Sequence, residues 1–262
     1  METKIIDGKA LAAEHEERLK ETIEKLNGVP HIVSFFNPED KPSVVFTRLK
    51  QNKAQKLGIV FNPIEINSAV TVEVLASLVE GFNKDPGVHG IIFQLPLPKH
   101  LKAHQDYLLN LIKSEKDIDG LTGRGFMPAT VRGVLSILKD QKIDLESNIF
   151  AIVGSEGMVG RAMVVVLREN GAKVLEIDKK IPASSLNDCG DADIVISCVG
   201  EKNLILPDHI KEDAILIDVG LGDFDPKCFE KAGLYTPEKG GVGPMTVISL
   251  MENVVESYQK RR

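Results

Sequence analysis

Apolar positions along this chain keep two rhythms, one of helices and one of buried strands. Leu11, Leu19, Ile23 and Leu26, with His15 in register, follow a helical spacing; Asp7 is placed to cap its start and Gly28 to close it. Residues 31–36 form a short continuous apolar run, the mark of a strand covered on both faces. The pattern then predicts a helix over 44–57 ending at Gly58, a strand over 59–66, a helix over 70–83 and a strand over 88–93. A charged, glycine-rich break follows at 116–125. Beyond it the pattern predicts a helix over 130–139, a strand over 148–153, a glycine-rich turn and a helix over 161–170 closed by Gly171. Strands over 174–177, 194–199 and 214–219 come next, and a last helical stripe holds Val247, Leu250, Met251, Val254 and Val255. Strands alternating with helices predict an α/β protein built from parallel βαβ units. The expected architecture is two α/β domains around a cleft. One spans residues 1–120, with the helix of 245–262 packed back on it; the other, a Rossmann-like doubly wound parallel sheet, spans 121–244.

Composition narrows the function classes. The 262 residues are 43% hydrophobic and 27% charged, enough for one large domain or two modest ones. A net charge of −6 argues against nucleic acid as the partner. Trp is absent and aromatic residues make up 5%, which argues against base-stacking platforms. Cys189, Cys198 and Cys228 are odd in number and form no C-x-x-C, so reduced, buried thiols in a cytoplasmic protein are expected. The first residues have no apolar signal core and no run is long enough to cross a bilayer, so no membrane role is expected. The six histidines are scattered, and no metal centre is expected.

Three segments carry candidate chemistry. Residues 239–246 read Lys-Gly-Gly-Val-Gly-Pro-Met-Thr, a rigid loop whose glycines let a flat ligand approach the backbone. Residues 154–160 read Gly-Ser-Glu-Gly-Met-Val-Gly, after a strand and before a helix. That context suits a dinucleotide, whose pyrophosphate the free N–H groups of a helix start can hold. The match to G-x-G-x-x-G is imperfect, because Ser155 takes the first glycine position; a turn that only packs helix on strand reads the same way. Asp178, 18 residues after Gly160, is placed to bind adenosine ribose hydroxyls and favours NAD, whereas Lys179 beside it suits a 2′-phosphate. A solvated pair of Asp178 with Lys179 or Lys180 is the plain alternative. Gly200 and Gly220 end two later strands, where ligands of open parallel sheets bind and simple turns also occur.

Gln94-Leu95-Pro96-Leu97-Pro98, Lys116-Asp117-Ile118-Asp119-Gly120, the 154–160 turn and the 240–246 loop occur in one order over nearly the whole chain. So arranged, the sequence resembles the bifunctional methylenetetrahydrofolate dehydrogenase/methenyltetrahydrofolate cyclohydrolase family. Ile5-Ile6-Asp7-Gly8 and Ile217-Asp218-Val219-Gly220 fit as well. The resemblance implies an enzyme that oxidises 5,10-methylenetetrahydrofolate with NADP and hydrolyses the methenyl product to 10-formyltetrahydrofolate; Asp178 keeps NAD open. It implies catalytic roles for Lys50, Gln94 and Asp119, with Asp119 holding the pterin ring. It implies substrate contacts at Phe46, Gln94, Leu95, Asp119, Gly243 and Pro244. It implies cofactor contacts at Gly154, Ser155, Glu156, Gly160, Asp178, Lys179, Gly200, Leu221 and Thr246, and a homodimer. A lysine lowered in pKa by desolvation relays protons near neutrality, a neutral glutamine orients it, and a carboxylate matches two donors on the pterin edge. Alone, Lys50 also reads as a surface lysine and Asp119 as a turn aspartate before glycine.

The chain departs from the family pattern at several places. Phe46 stands where the family's Tyr-x-x-x-Lys has tyrosine, which keeps stacking and loses a hydroxyl. Glu156 stands where a serine is usual, and a carboxylate there repels pyrophosphate unless it is turned away or neutralised. Glu238-Lys239 replaces a Val-Pro, Val131 replaces a proline, and the chain is shorter than usual between Gly120 and Pro128. Two further readings are therefore kept: a cyclohydrolase with a weakened nicotinamide site, and a folate- or nucleotide-binding protein without catalysis.

Overall fold

The computed structural model describes residues 4–179 and 185–261; Lys180, one of the two lysines considered for Asp178, lies outside them. In chain order the main elements are β1 (Lys4–Ile5), α1 (Gly8–Glu24), β2 (His31–Phe36), α2 (Lys41–Lys56), β3 (Val60–Glu65), α3 (Val72–Lys84), β4 (Gly90–Gln94) and α4 (Gln105–Asn110). They continue with α5 (Ala129–Asp140), β5 (Ile149–Val153), α6 (Met158–Glu169), β6 (Lys173–Ile177), β7 (Ile194–Ser197), β8 (Ile215–Asp218), α7 (Cys228–Lys231), β9 (Leu234–Tyr235) and α8 (Val242–Lys260). The chain divides into two units. One holds 14–129 and the residues from 247 onward; the other holds the residues up to 13 and 130–246.

The first unit carries a parallel three-stranded sheet in the order β3-β2-β4. The central strand, His-Ile-Val-Ser-Phe-Phe, is buried throughout after its first residue, as expected for a strand flanked on both faces. Pro63 lies in β3, at a sheet edge where a missing N–H is tolerated. Phe35 stacks on Phe93 at 5.0 Å and meets Phe82 edge-on at 6.1 Å, within a core that also holds Val33, Ile91, Leu75 and Val79. Helix α2 starts earlier than the apolar pattern predicts. Asp40 accepts from the Ser43 N–H at 2.8 Å and Pro42 occupies the first turn, both ordinary start signals.

The second unit carries a parallel six-stranded sheet in the order β1-β9-β8-β7-β5-β6. Chain order reverses between β5 and its neighbours: β6 lies on one side and β7 on the other, which makes the crevice at their carboxyl ends the expected ligand position.

Two expectations about domains are corrected. The residues up to 13 belong with the second sheet, not with the substrate half. The Lys4 N–H donates to Gly233 O at 3.1 Å and the Ile6 N–H to Tyr235 O at 2.8 Å, so the first strand completes the sheet edge. A Cβ on Gly8 would stand 1.9 Å from Gly241 O, which shows how closely the two backbones approach. The boundary expected after Gly120 falls instead after Ala129. Asn253 Nδ2 donates to Ile118 O at 2.7 Å and to Met127 O at 3.0 Å, which keeps the intervening segment with the first unit. The last helix also begins at Val242, not 245, so Gly243 and Pro244 form its first turn, where proline is tolerated.

Candidate active site

Lys50 lies on α2 with 8% of its surface exposed, held there by the β4 edge opposite. Its Nζ donates to Gln94 Oε1 at 3.0 Å and stands 3.9 Å from Asp119 Oδ2. Gln94 ends β4, at the carboxyl edge of the sheet, and its Nε2 donates to Leu95 O at 3.2 Å. That bond fixes which end of the amide faces the lysine. Asp119 follows a loop that is pinned twice. Asp117, 1% exposed, accepts from the Thr122 N–H at 2.9 Å and from the Thr122 hydroxyl at 2.6 Å. Asn253 holds the carbonyl of Ile118 from α8. Burial pushes the Asp119 carboxyl above its usual range, the Lys50 ammonium pulls it back and Asp117 adds to the rise. Phe46 lies one helical turn before Lys50 on the same face, 37% exposed, and Leu95 is half-buried beside Gln94. An exposed aromatic face, an amine, an amide and a carboxylate therefore share one rim of the first unit.

In the second unit the turn after β5 is built for close approach. Gly154 takes φ +81°, open to glycine at little strain. A Cβ on Gly160 would fall 2.1 Å from Gly154 O, so a larger residue has no room. Ser155 is 1% exposed and its hydroxyl finds no partner among the described residues. The start of α6 presents its free N–H groups at this turn, which suits a pyrophosphate. Glu156 is neutralised: its carboxylate pairs with Arg161 Nη2 at 3.0 Å. Its N–H donates to Asp178 Oδ2 at 3.3 Å, which ties the acid after β6 to the turn. The Lys179 ammonium pairs with Glu201 Oε2 at 3.2 Å. The glycine cradle, the helix start and Asp178 together fit a nicotinamide dinucleotide.

Gly200 and Leu221 flank the same sheet edge. Asp223, fully buried, accepts from Ser197 Oγ at 2.6 Å and from the N–H groups of Val199, Gly200 and Glu201 at 2.8 to 3.2 Å. Asp218, 2% exposed, accepts from the Gly222 N–H at 2.6 Å. Between them Leu221 adopts φ +68°, a conformation side chains rarely take, which marks a loop fixed by its surroundings. Gly243 has open space where a Cβ would point, and Pro244 follows it. The Thr246 hydroxyl donates to Val242 O at 3.3 Å, one turn back.

Asp117, Asp218, Asp223 and Asn253 support the site; Asp117 and Asp218 entered the sequence reading only within matching segments, with no role given, and Asp223 and Asn253 not at all. Asn253 had a signal: Ser249, Asn253 and Ser257 make a buried polar row at a spacing of four along an otherwise apolar helix face. Cys189 and Cys228 are buried as expected, but Cys198 is only half-buried. Burial, with Asp223 and Asp218 nearby, still pushes its thiol up to about 12. His100 and His104 have a spacing common in metal sites, yet His100 Nε2 lies 2.9 Å from Val70 O. Among the described residues no cluster of three His, Cys, Asp or Glu could hold a metal ion, and no helix is long and apolar enough to cross a membrane.

Two models of one family match the chain in tandem. The tetrahydrofolate dehydrogenase/cyclohydrolase catalytic domain covers residues 6–119, and the NAD(P)-binding domain covers 128–262. The bifunctional protein FolD of Streptococcus thermophilus is 34% identical over an alignment 280 positions long, covering 97% of this chain and 96% of that protein. The crystal structure of the bifunctional FolD enzyme from Campylobacter jejuni is similar with a TM-score of 0.91 at 34% identity, covering 99% of this chain and 100% of that one. That of the Trypanosoma brucei methylenetetrahydrofolate dehydrogenase-cyclohydrolase, complexed with NADP and an inhibitor, has a TM-score of 0.88 at 28% identity over 98% of both chains. With both halves matched in order and relatives aligned from end to end, this chain belongs to the tetrahydrofolate dehydrogenase/cyclohydrolase family.

Proposed function

We propose that this protein oxidises 5,10-methylenetetrahydrofolate to 5,10-methenyltetrahydrofolate with a nicotinamide dinucleotide and hydrolyses that product to 10-formyltetrahydrofolate. The observation that carries the proposal is Lys50 Nζ held 3.0 Å from Gln94 and 3.9 Å from Asp119. A binding module has no need of an amine steered by an amide, and a lone dehydrogenase has no use for a proton relay.

The bound dinucleotide supplies the acceptor for the hydride lost from the bridging methylene. Removal of that hydride leaves a delocalised methenyl cation and calls on no acid or base. Hydrolysis does. Water loses a proton as its oxygen bonds to the methenyl carbon. The resulting hydroxyl loses a second as the carbon–nitrogen bond opens, and the freed ring nitrogen takes one up. One proton is released overall, and the Lys50 amine is the group placed to carry protons between these atoms. Gln94 accepts from Lys50 and keeps it aimed without adding charge. Asp119 offers a carboxylate to the paired donors of the pterin edge. Phe46 supplies an apolar face for ring stacking, with Leu95 beside it. Gly243 and Pro244 are assigned to the substrate by family resemblance, supported by the unobstructed face of Gly243.

Gly154, Ser155, Gly160 and the α6 start are assigned to the pyrophosphate, and Glu156, Asp178 and Lys179 to the adenosine side. Gly200, Leu221 and Thr246 are assigned to the remainder of the cofactor. A cytoplasmic homodimer belongs to the same reading, supported by the family resemblance and by the buried free thiols of Cys189 and Cys228. One preparation tests the whole. Supplied with 5,10-methylenetetrahydrofolate and NAD or NADP, it is expected to yield reduced dinucleotide and 10-formyltetrahydrofolate, and to sediment at twice the chain mass. Reduced dinucleotide with no formyl product would sink the hydrolytic half, and formyl product only from added methenyl compound would sink the oxidative half.

A further inference from the structure

The adenosine end of the nucleotide site carries a charge arrangement that the family assignment leaves open. Asp178 follows β6, and its Oδ2 accepts from the Glu156 N–H at 3.3 Å. The carboxylate is thereby fixed to the turn that receives the pyrophosphate, the position from which an acid binds both hydroxyls of an adenosine ribose. Glu156 brings a second carboxylate to the same turn. It engages Arg161, which donates to both the Glu156 carboxylate at 3.0 Å and the Glu156 carbonyl at 3.3 Å. Lys179, next to Asp178, is engaged by Glu201.

From this juxtaposition we infer that the protein selects NAD over NADP, with Asp178 and Glu156 as the specificity-determining residues. The inference rests on the dinucleotide reading of the turn given above and refines it. A ribose with a free 2′-hydroxyl donates to Asp178. A 2′-phosphate replaces that donor by two negative charges and meets Asp178 head-on. It gains Arg161 only by displacing Glu156. The displaced carboxylate then stays on the same short turn, because the Glu156 main chain is bonded to Asp178. Ser155 adds no charge, and its small side chain is buried against the turn.

Binding, not turnover, tests the inference. The chain contains no Trp, so the fluorescence of NADH and NADPH can be titrated with whole protein against little background. NADH is expected to bind at least tenfold more tightly than NADPH. Glu156→Gln, which releases Arg161 while keeping the main-chain bond, is expected to tighten NADPH several-fold and so to narrow the ratio. Asp178→Asn is expected to weaken NADH and narrow the ratio further. Wild-type protein that binds NADPH as tightly as NADH, or a ratio unmoved by both substitutions, overturns the inference while leaving the dinucleotide site intact. Binding of neither nucleotide overturns both the inference and the nucleotide site on which it rests.

Discussion

At Asp119 the demands of chemistry and of folding oppose each other. Burial raises its carboxyl pKa and the Lys50 ammonium only partly offsets that rise. A carboxyl with a folded pKa above its unfolded one binds more protons folded than unfolded between the two values. Stability is therefore lost as pH rises through that window and stays lost above it. Asp119→Asn removes the penalty, so the variant is expected to melt above the wild type at pH 7. The gap should close as pH falls below the ordinary carboxylate value, where both states are protonated. A gap that is constant with pH would contradict this account, as would wild-type folate affinity in the variant. Little of this was legible locally. Lys50 reads as a surface lysine because its burial comes from Gln94, 44 residues further along the chain. Only motif order over the whole sequence joined the two. Lys179 shows a second limit: its place next to Asp178 suggested a local partner, but its ammonium meets Glu201, 22 residues further along.

Elements were legible where hydrophobic periodicity was strong and faint where polar contacts set the boundary. The buried run of β2 and the stripes of α3 and α6 were read within a few residues of their observed ends. The two-residue strands β1 and β9 are too short for any periodic signal and exist because each completes the other's hydrogen bonds. The loop carrying Asp119 is ordered by α8. Asn253 supplies two bonds to it, Ser257 donates to Glu115 O at 2.8 Å, and Arg261 Nη1 donates to Val88 O at 2.9 Å at the neighbouring strand. Asn253→Ala leaves the buried Ile118 carbonyl and the partly buried Met127 carbonyl without that partner. It is expected to destabilise the protein by about 1–3 kcal/mol, the usual penalty for an orphaned buried group. Because Asp119 then loses its fixed position, KM for the folate should rise more than kcat falls. Urea unfolding and steady-state kinetics check the two effects, and an unchanged unfolding midpoint would show that the loop holds itself.

For the whole molecule, fold class and family were legible and the partition of the chain was not. The glycine-rich break at 116–125 was read as the domain boundary, but Gly120 is a packed position: a Cβ there would fall 2.6 Å from Phe126 O and Pro128. Glycine marked a close approach there, not a hinge. The two halves of the proposed reaction make different demands on the chain, since hydride removal needs no proton relay and hydrolysis does. Lys50→Met keeps the length and apolar stem of the side chain and deletes the amine. The most direct measurement follows the absorbance of the methenyl compound in this variant, supplied with 5,10-methylenetetrahydrofolate and NAD. The expected result is accumulation of that compound, with its hydrolysis slowed about 10²–10⁴-fold, the span that general acid–base groups typically contribute. Hydrolysis at the wild-type rate without the amine would contradict the assignment of Lys50 as the proton carrier.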